Sequence, residues 1–246
     1  MATILVPIPA TDFDPTETAV PWQILASLGH RLVFATPDGT TGHADPRMLT
    51  GQGLGLLAPI LMADANGRRA YEAMARSEAF RQPLRYEDIK SGDFDALLLA
   101  RGHAPGMRPY LESNLLQTHV AEFFAWGKPV GAICHGVLLA ARSREKAGLS
   151  VLSGKTTTAL TKLLEMSAWA ATCAWLGRYY RTYDECVEDE VKRAPARRCA
   201  PVWHRVRETA GLQRATLMNA ATGRPEQVAF PRGAAQHAQW RAWGLT

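Results

Sequence analysis

No stretch of this chain is apolar for long enough to cross a bilayer, and the opening residues Ala2-Thr3-Ile4-Leu5-Val6-Pro7 carry no basic lead-in. A spanning helix needs about 20 apolar residues and a secretory leader needs a positive start, so the sequence predicts a cytoplasmic protein with no membrane partner. Cysteine is scarce too. Cys134, Cys173, Cys186 and Cys199 are the whole complement of 246 residues, too few for a disulfide framework, and no two form a C-x-x-C pair suited to zinc or redox exchange. Free thiols are expected. No phosphate loop or dinucleotide fingerprint is present, so neither an organic cofactor nor a metal is expected.

Acid is what the C-terminal part lacks. From Val191 onward only Glu208 and Glu226 oppose nine arginines and one lysine, a surplus of +8, so residues 1–190 carry about −3 of the formal net charge of +5. Nucleic acid is not an expected partner, because no RNA-reading aromatic motif, zinc finger or helix-turn-helix pattern accompanies these arginines. Hydrophobic residues make up 47% of the chain, enough for one sizeable core. Beyond about Glu190 both the helical and the strand periods fade. The reading therefore divides the chain into an α/β domain over 1–190 and a basic Arg/Ala/Pro-rich tail over 191–246, irregular or poorly packed and open to protease. A departure from an ancestral reading frame would leave the same abrupt change of composition.

Within the first part, four short apolar runs look like buried parallel strands, each followed by a turn and a helical pattern: Thr3–Pro7, Arg31–Thr36, 96–100 and 129–133. That alternation predicts a doubly wound, mostly parallel sheet with helices on both faces, flavodoxin-like in class. Helical patterns cover 17–29, 66–81, 114–127, 135–144 and 161–180. The second of these exceeds a plain connection and reads as an inserted cap. The last carries Trp169, Cys173, Trp175 and Leu176 and is apolar on most faces, which predicts deep packing or a homodimer contact.

The segment Pro129-Val130-Gly131-Ala132-Ile133-Cys134-His135-Gly136 carries the chemistry. A nucleophile flanked by small residues between a buried strand and a helix is the nucleophile-elbow arrangement, here with cysteine. A sulfur at a helix start feels the positive end of the macrodipole, which favours thiolate. Taken alone, Cys134 reads equally well as a small buried hydrophobe. The adjacent His135, a base or orienting group, and Gly136, which opens the turn, favour the catalytic reading. Cys173, in an apolar helical stripe, reads as core.

Ala132-Ile133-Cys134-His135-Gly136 resembles the signature of the ThiJ/PfpI superfamily, relatives of the class I glutamine amidotransferases, closest to its glyoxalase III and holding-chaperone branch. Glu17-Thr18-Ala19-Val20-Pro21 is similar to the family's opening helix, whose glutamate reaches the cysteine. Leu97-Leu98-Leu99-Ala100-Arg101-Gly102 is similar to the family's strand and glycine pair, with Gly102 as the second glycine and Arg101 where many relatives have the first. Gly154-Lys155-Thr156-Thr157-Thr158, followed by Glu165, resembles the segment that brings an acid to the histidine. The resemblance implies Cys134 as nucleophile, the Gly102 and His135 N–H groups as oxyanion hole, Glu17 as proton carrier and Glu165 as the residue orienting His135.

What it implies about function is a cofactor-free, cysteine-dependent enzyme acting on a small reactive carbonyl compound, converting methylglyoxal to lactate or acting as a hydratase or deglycase. A stress-related holding chaperone or thiol oxidation sensor is the alternative on the same scaffold. An amide or isocyanide hydrolase is a third, because an elbow fixes the nucleophile and not the substrate. The family's habit of pairing implies a homodimer.

Overall fold

The structure, a computed structural model, describes residues 1–155 and 157–194, together with the backbone of two strands at 212–218 and 225–231. In chain order the strands are β1 (Thr3–Pro7), β2 (Thr11–Phe13), β3 (Arg31–Thr36), β4 (His43–Ala44), β5 (Leu84–Arg85), β6 (Ala96–Leu99), β7 (Val130–Ala132), β8 (Leu212–Met218) and β9 (Pro225–Pro231). The α-helices are α1 (Pro15–Ser27), α2 (Pro46–Thr50), α3 (Ala58–Leu61), α4 (Ala65–Arg76), α5 (Glu78–Arg81), α6 (Arg108–Leu111), α7 (Asn114–Ala125), α8 (Gly136–Arg142), α9 (Lys162–Leu176) and α10 (Val187–Arg193).

Five strands form one parallel sheet in the order β5-β3-β1-β6-β7. Leu5 in β1 lies opposite Val33 on one side and Leu97 on the other. Central parallel strands are covered on both faces, so their sequences are apolar without alternation, and Leu5, Phe34 and Leu99 are fully buried. The crossover from β1 to β3 runs toward one edge and that from β6 to β7 toward the other. Right-handed connections then place α1 and α7 on opposite faces and put the switch point between β1 and β6. The doubly wound α/β class expected from the sequence is the one observed.

Local signals explain where the helices begin. Asp14 caps α1, its side chain accepting the Glu17 N–H at 2.9 Å, with Pro15 in the first turn. Ser113 caps α7 through the Leu116 N–H, and Thr161 caps α9 through that of Leu164. Both are short polar residues at the half-in position.

Two expectations are corrected. The helical pattern over 66–81 is no separate cap: it breaks at Ser77 into α4 and α5, and Ala70, Met74 and Phe80 join the core under the sheet. Helix α9 is not deeply packed, since of its residues only Glu165 and Thr172 are buried and Leu163 and Trp175 are exposed. Helix α10 continues to Arg193 with Val191 fully buried. In the remaining tail, β8 and β9 pair antiparallel where no strand was expected, Leu212 opposite Pro231; the rest of the expectation for 191–246 lies outside the described residues.

Candidate active site

Two neighbouring strand ends, that of β6 at the switch point and that of β7 beside it, deliver the candidate residues. After β7 the chain turns sharply through Ile133 and Cys134, with the Gly136 N–H bonded to the Ile133 carbonyl at 2.8 Å. Cys134 has φ 48°, one of two non-glycine residues with positive φ among those described. A left-handed conformation costs an L-residue roughly 1–2 kcal/mol, and such strain gathers at functional turns. Gly136 makes the turn possible. A Cβ there would stand 2.7 Å from the Leu99 carbonyl oxygen and 2.8 Å from that of Ala100. Both are backbone atoms of the neighbouring strand end, which cannot swing aside. Gly136→Ala is expected to cost about 1–3 kcal/mol, read as a lowered melting temperature; an unchanged value would show that the two strand ends are not held this tightly.

The second strand end, after β6, brings Arg101, Gly102 and His103. Gly102 is confined as closely as Gly136, since a Cβ would come within 2.5 Å of the Asp12 carbonyl oxygen. Arg101 takes the glycine position of the resembled pattern and turns its guanidinium inward. It is only 4% exposed and forms a salt bridge with Glu17 on α1. Its carbonyl accepts the Asp14 N–H at 2.7 Å, which ties the start of α1 to the end of β6.

The electrostatics follow from burial. Loss of water pushes the Glu17 carboxyl up to about 7, against the pull of Arg101 in the other direction. It pushes the Cys134 thiol well up, with Arg101 opposing and the Glu17 and Asp14 charges adding to the rise. His135, 1% exposed, is held down to about 3 by desolvation and by the Arg101 and Arg142 guanidinium groups. Both shifts favour the thiol and the neutral imidazole, and the Cys134 sulfur lies 3.5 Å from His135 Nδ1. Helix α8 has only seven residues, and at the sulfur its dipole and the loss of water act in opposite directions.

Of the expected site residues, the structure brings together Cys134, His135 and Glu17, sets Gly102 against Asp12 and Met107 after the end of β6, and leaves Glu165 elsewhere. Glu165 accepts the Val187 N–H at 2.9 Å at the start of α10 and lies 3.6 Å from Arg181. The contact at His135 Nε2 comes from Thr182, 3.3 Å away, which the sequence reading did not single out. Its one advance signal is the run Tyr179-Tyr180-Arg181-Thr182-Tyr183, aromatic and directly after the Gly177 helix end. Among the described cysteines Cys134, Cys173 and Cys186 are free; Cys199 lies outside the described residues. Cys186 is the buried one, and Cys173, expected in the core, is only partly covered. Limited iodoacetamide at neutral pH should therefore label Cys173 ahead of Cys134, whose rate should keep climbing into the alkaline range. Peptide mapping checks the order, and prompt labelling of Cys134 would contradict the resting thiol. Among the described residues no three His, Cys, Asp or Glu side chains gather as metal ligands.

The family model described as ThiJ/PfpI family-like matches residues 8–195. The chain belongs to the ThiJ/PfpI family. Protein DJ-1 homolog D of Arabidopsis thaliana is 28% identical over 144 residues, 58% of this chain and 31% of that protein. A protein of Schizosaccharomyces pombe named as a probable glutathione-independent glyoxalase is 25% identical over 88 residues, 36% of this chain and 39% of its own length. The match thus spans well under half of these ThiJ/PfpI relatives. Among solved structures, glyoxalase III of Candida albicans superposes with a TM-score of 0.61 at 17% identity, covering 85% of this chain and 88% of that one. A Francisella tularensis rapid encystment protein gives 0.60 at 15% identity over the full length of both. These likenesses carry the fold. Among the described residues no helix is long and apolar enough to cross a membrane.

Proposed function

We propose that this ThiJ/PfpI protein is a cytoplasmic cysteine-dependent enzyme that converts small 2-oxoaldehydes, methylglyoxal first among them, to 2-hydroxy acids without glutathione. The observation that carries the reading is the strained Cys134 with its sulfur 3.5 Å from His135 Nδ1, beside the buried Arg101–Glu17 pair. The relatives named as glyoxalases support it.

The steps balance without an external oxidant. Cys134 passes its proton to His135 Nδ1 as the sulfur bonds to the aldehyde carbon, and the Gly102 and His135 N–H groups receive the developing oxyanion. Glu17, with a carboxyl poised at about 7, moves the proton from the aldehyde carbon to the neighbouring ketone carbon by way of an enediol. One carbon is oxidised and its neighbour reduced, leaving a thioester. His135 returns its proton to the oxygen of the new 2-hydroxyl, and water cleaves the thioester, its hydroxyl going to the acyl carbon and a proton to the sulfur, which releases lactate and the free thiol. Arg101 offsets negative charge as the oxyanion forms.

Purified protein treated with chelator and freed of small thiols is expected to form lactate from methylglyoxal, and absence of lactate would overturn the reading. A homodimer is part of the proposal. The half-exposed Trp175 and the exposed Leu56 border an open apolar surface with Gly53, Gly55 and Leu57, and an exposed apolar patch of this kind suits a second copy. Sedimentation at micromolar concentration should return twice the monomer mass of 26.9 kDa; a monomer would contradict pairing.

A further inference from the structure

We infer that Thr182 is a positioning residue that fixes the His135 tautomer, so that Nδ1 presents a bare lone pair to the Cys134 thiol. The inference deepens the proposed chemistry and rests on reading Cys134 as its nucleophile. A threonine hydroxyl has one proton. Thr182 Oγ1 lies 2.6 Å from the His103 carbonyl oxygen, which can only accept, so the hydroxyl donates there. Toward His135 Nε2, at 3.3 Å, the same oxygen can then only accept, and Nε2 must carry the ring proton. A neutral imidazole has a single N–H. Nδ1, facing the sulfur at 3.5 Å, is left as the acceptor.

The threonine is held where this logic needs it. It is 2% exposed, and its own carbonyl accepts from Arg108 Nε at 2.9 Å and Nη2 at 2.6 Å. Tyr179 and Tyr180 just before it pack on the His103 ring at 4.8 and 4.5 Å between centroids, fixing the carbonyl to which Thr182 donates. A neutral hydroxyl has replaced the acid expected at His135, and Glu165 is spent at the start of α10. Orientation of the imidazole is kept, but no negative charge stabilises its protonated form. The charged and titratable groups acting on the ring are Cys134, Arg101, Arg142 and His103. The two arginines make protonation of the ring still less favourable, so the proton is taken up only as the sulfur bonds to substrate.

Two measurements test this without any turnover. In protein carrying ¹⁵N-histidine, with His135 assigned by comparison with His135→Asn, the wild-type ring should show a protonated Nε2 and a bare Nδ1. A protonated Nδ1 would overturn the inference. The pH profile of Cys134 alkylation is the second readout. Thr182→Val keeps the shape and removes the acceptor, and should slow alkylation at neutral pH about tenfold or more with a shifted profile. Thr182→Ser should restore rate and tautomer. A Thr182→Val protein with wild-type tautomer and profile would overturn the role, and the wild-type spectrum decides the matter if that variant does not fold. An Nε2–H ring in a protein that forms no lactate would sink the proposed substrate while leaving the tautomer assignment standing.

Discussion

Cys134→Ala is expected to lower lactate formation by roughly 10³-fold or more, the scale on which covalent catalysis is lost with its nucleophile. The fold should be little affected. The sulfur is one of many groups packed on the core, and alanine keeps the Cβ in the same left-handed backbone. Cys134→Ser should be nearly as inactive, because a hydroxyl holds its proton far more tightly than a thiol and His135 is a weak base here. Cys134→Gly offers a check on the strain itself. Glycine adopts positive φ at no steric cost, so this variant should be more stable than Cys134→Ala by about 1 kcal/mol. Equal melting temperatures for the two would mean that the φ of 48° at Cys134 stores no strain.

Arg101→Met should have the largest effect on stability. Arg101 is buried and its partner Glu17 is mostly covered, and removing one partner of a buried pair costs about 3–5 kcal/mol because the other charge is left without compensation, with the partial exposure of Glu17 placing this pair toward the lower end. The cost should depend on pH. Burial has already raised the Glu17 carboxyl from 4.5 to about 7 with Arg101 pulling it down, and without the guanidinium it should titrate higher still. A carboxyl whose folded pKa lies above its unfolded value contributes stability that is complete below the unfolded value and lost as pH rises through the folded one. Urea midpoints of Arg101→Met should therefore fall furthest behind wild type above pH 7 and least at about pH 5. Adding Glu17→Gln should recover most of the loss and flatten the pH dependence. A deficit that is the same at every pH, or unrelieved in the double variant, would show that Arg101 contributes through packing instead.

The fold was legible because buried parallel strands are written as short unbroken apolar runs. Thr3–Pro7 and Arg31–Thr36 stand where the sequence places them, and β6 and β7 differ only by a residue or so at their ends. The cysteine turn was legible for the same reason, as a break between an apolar strand and a helix former run. What stayed hidden has no period. β5 is two residues long, too short for alternation to register. The Arg101–Glu17 pair joins positions 84 apart, and nothing along the chain says that an arginine at a glycine position turns inward. Thr182 meets His135 across 47 residues, through a loop whose path is set by ring packing on His103. Glu165 misled because its place in the first turn of α9 suits a carboxylate whether or not histidine is near. The apolar count of α9 misled likewise, since composition alone does not say which face a neighbour covers.

A covalent bond between Cys134 and the substrate carbon shows in the mass of the Cys134 peptide when turnover is stopped by acid. During steady conversion of methylglyoxal, a fraction of that peptide should be heavier by one methylglyoxal, with the adduct gone once substrate is exhausted and absent from Cys173. A Cys134 peptide that stays unmodified while lactate accumulates, or a Cys134→Ala protein that still forms lactate at the wild-type rate, would contradict it.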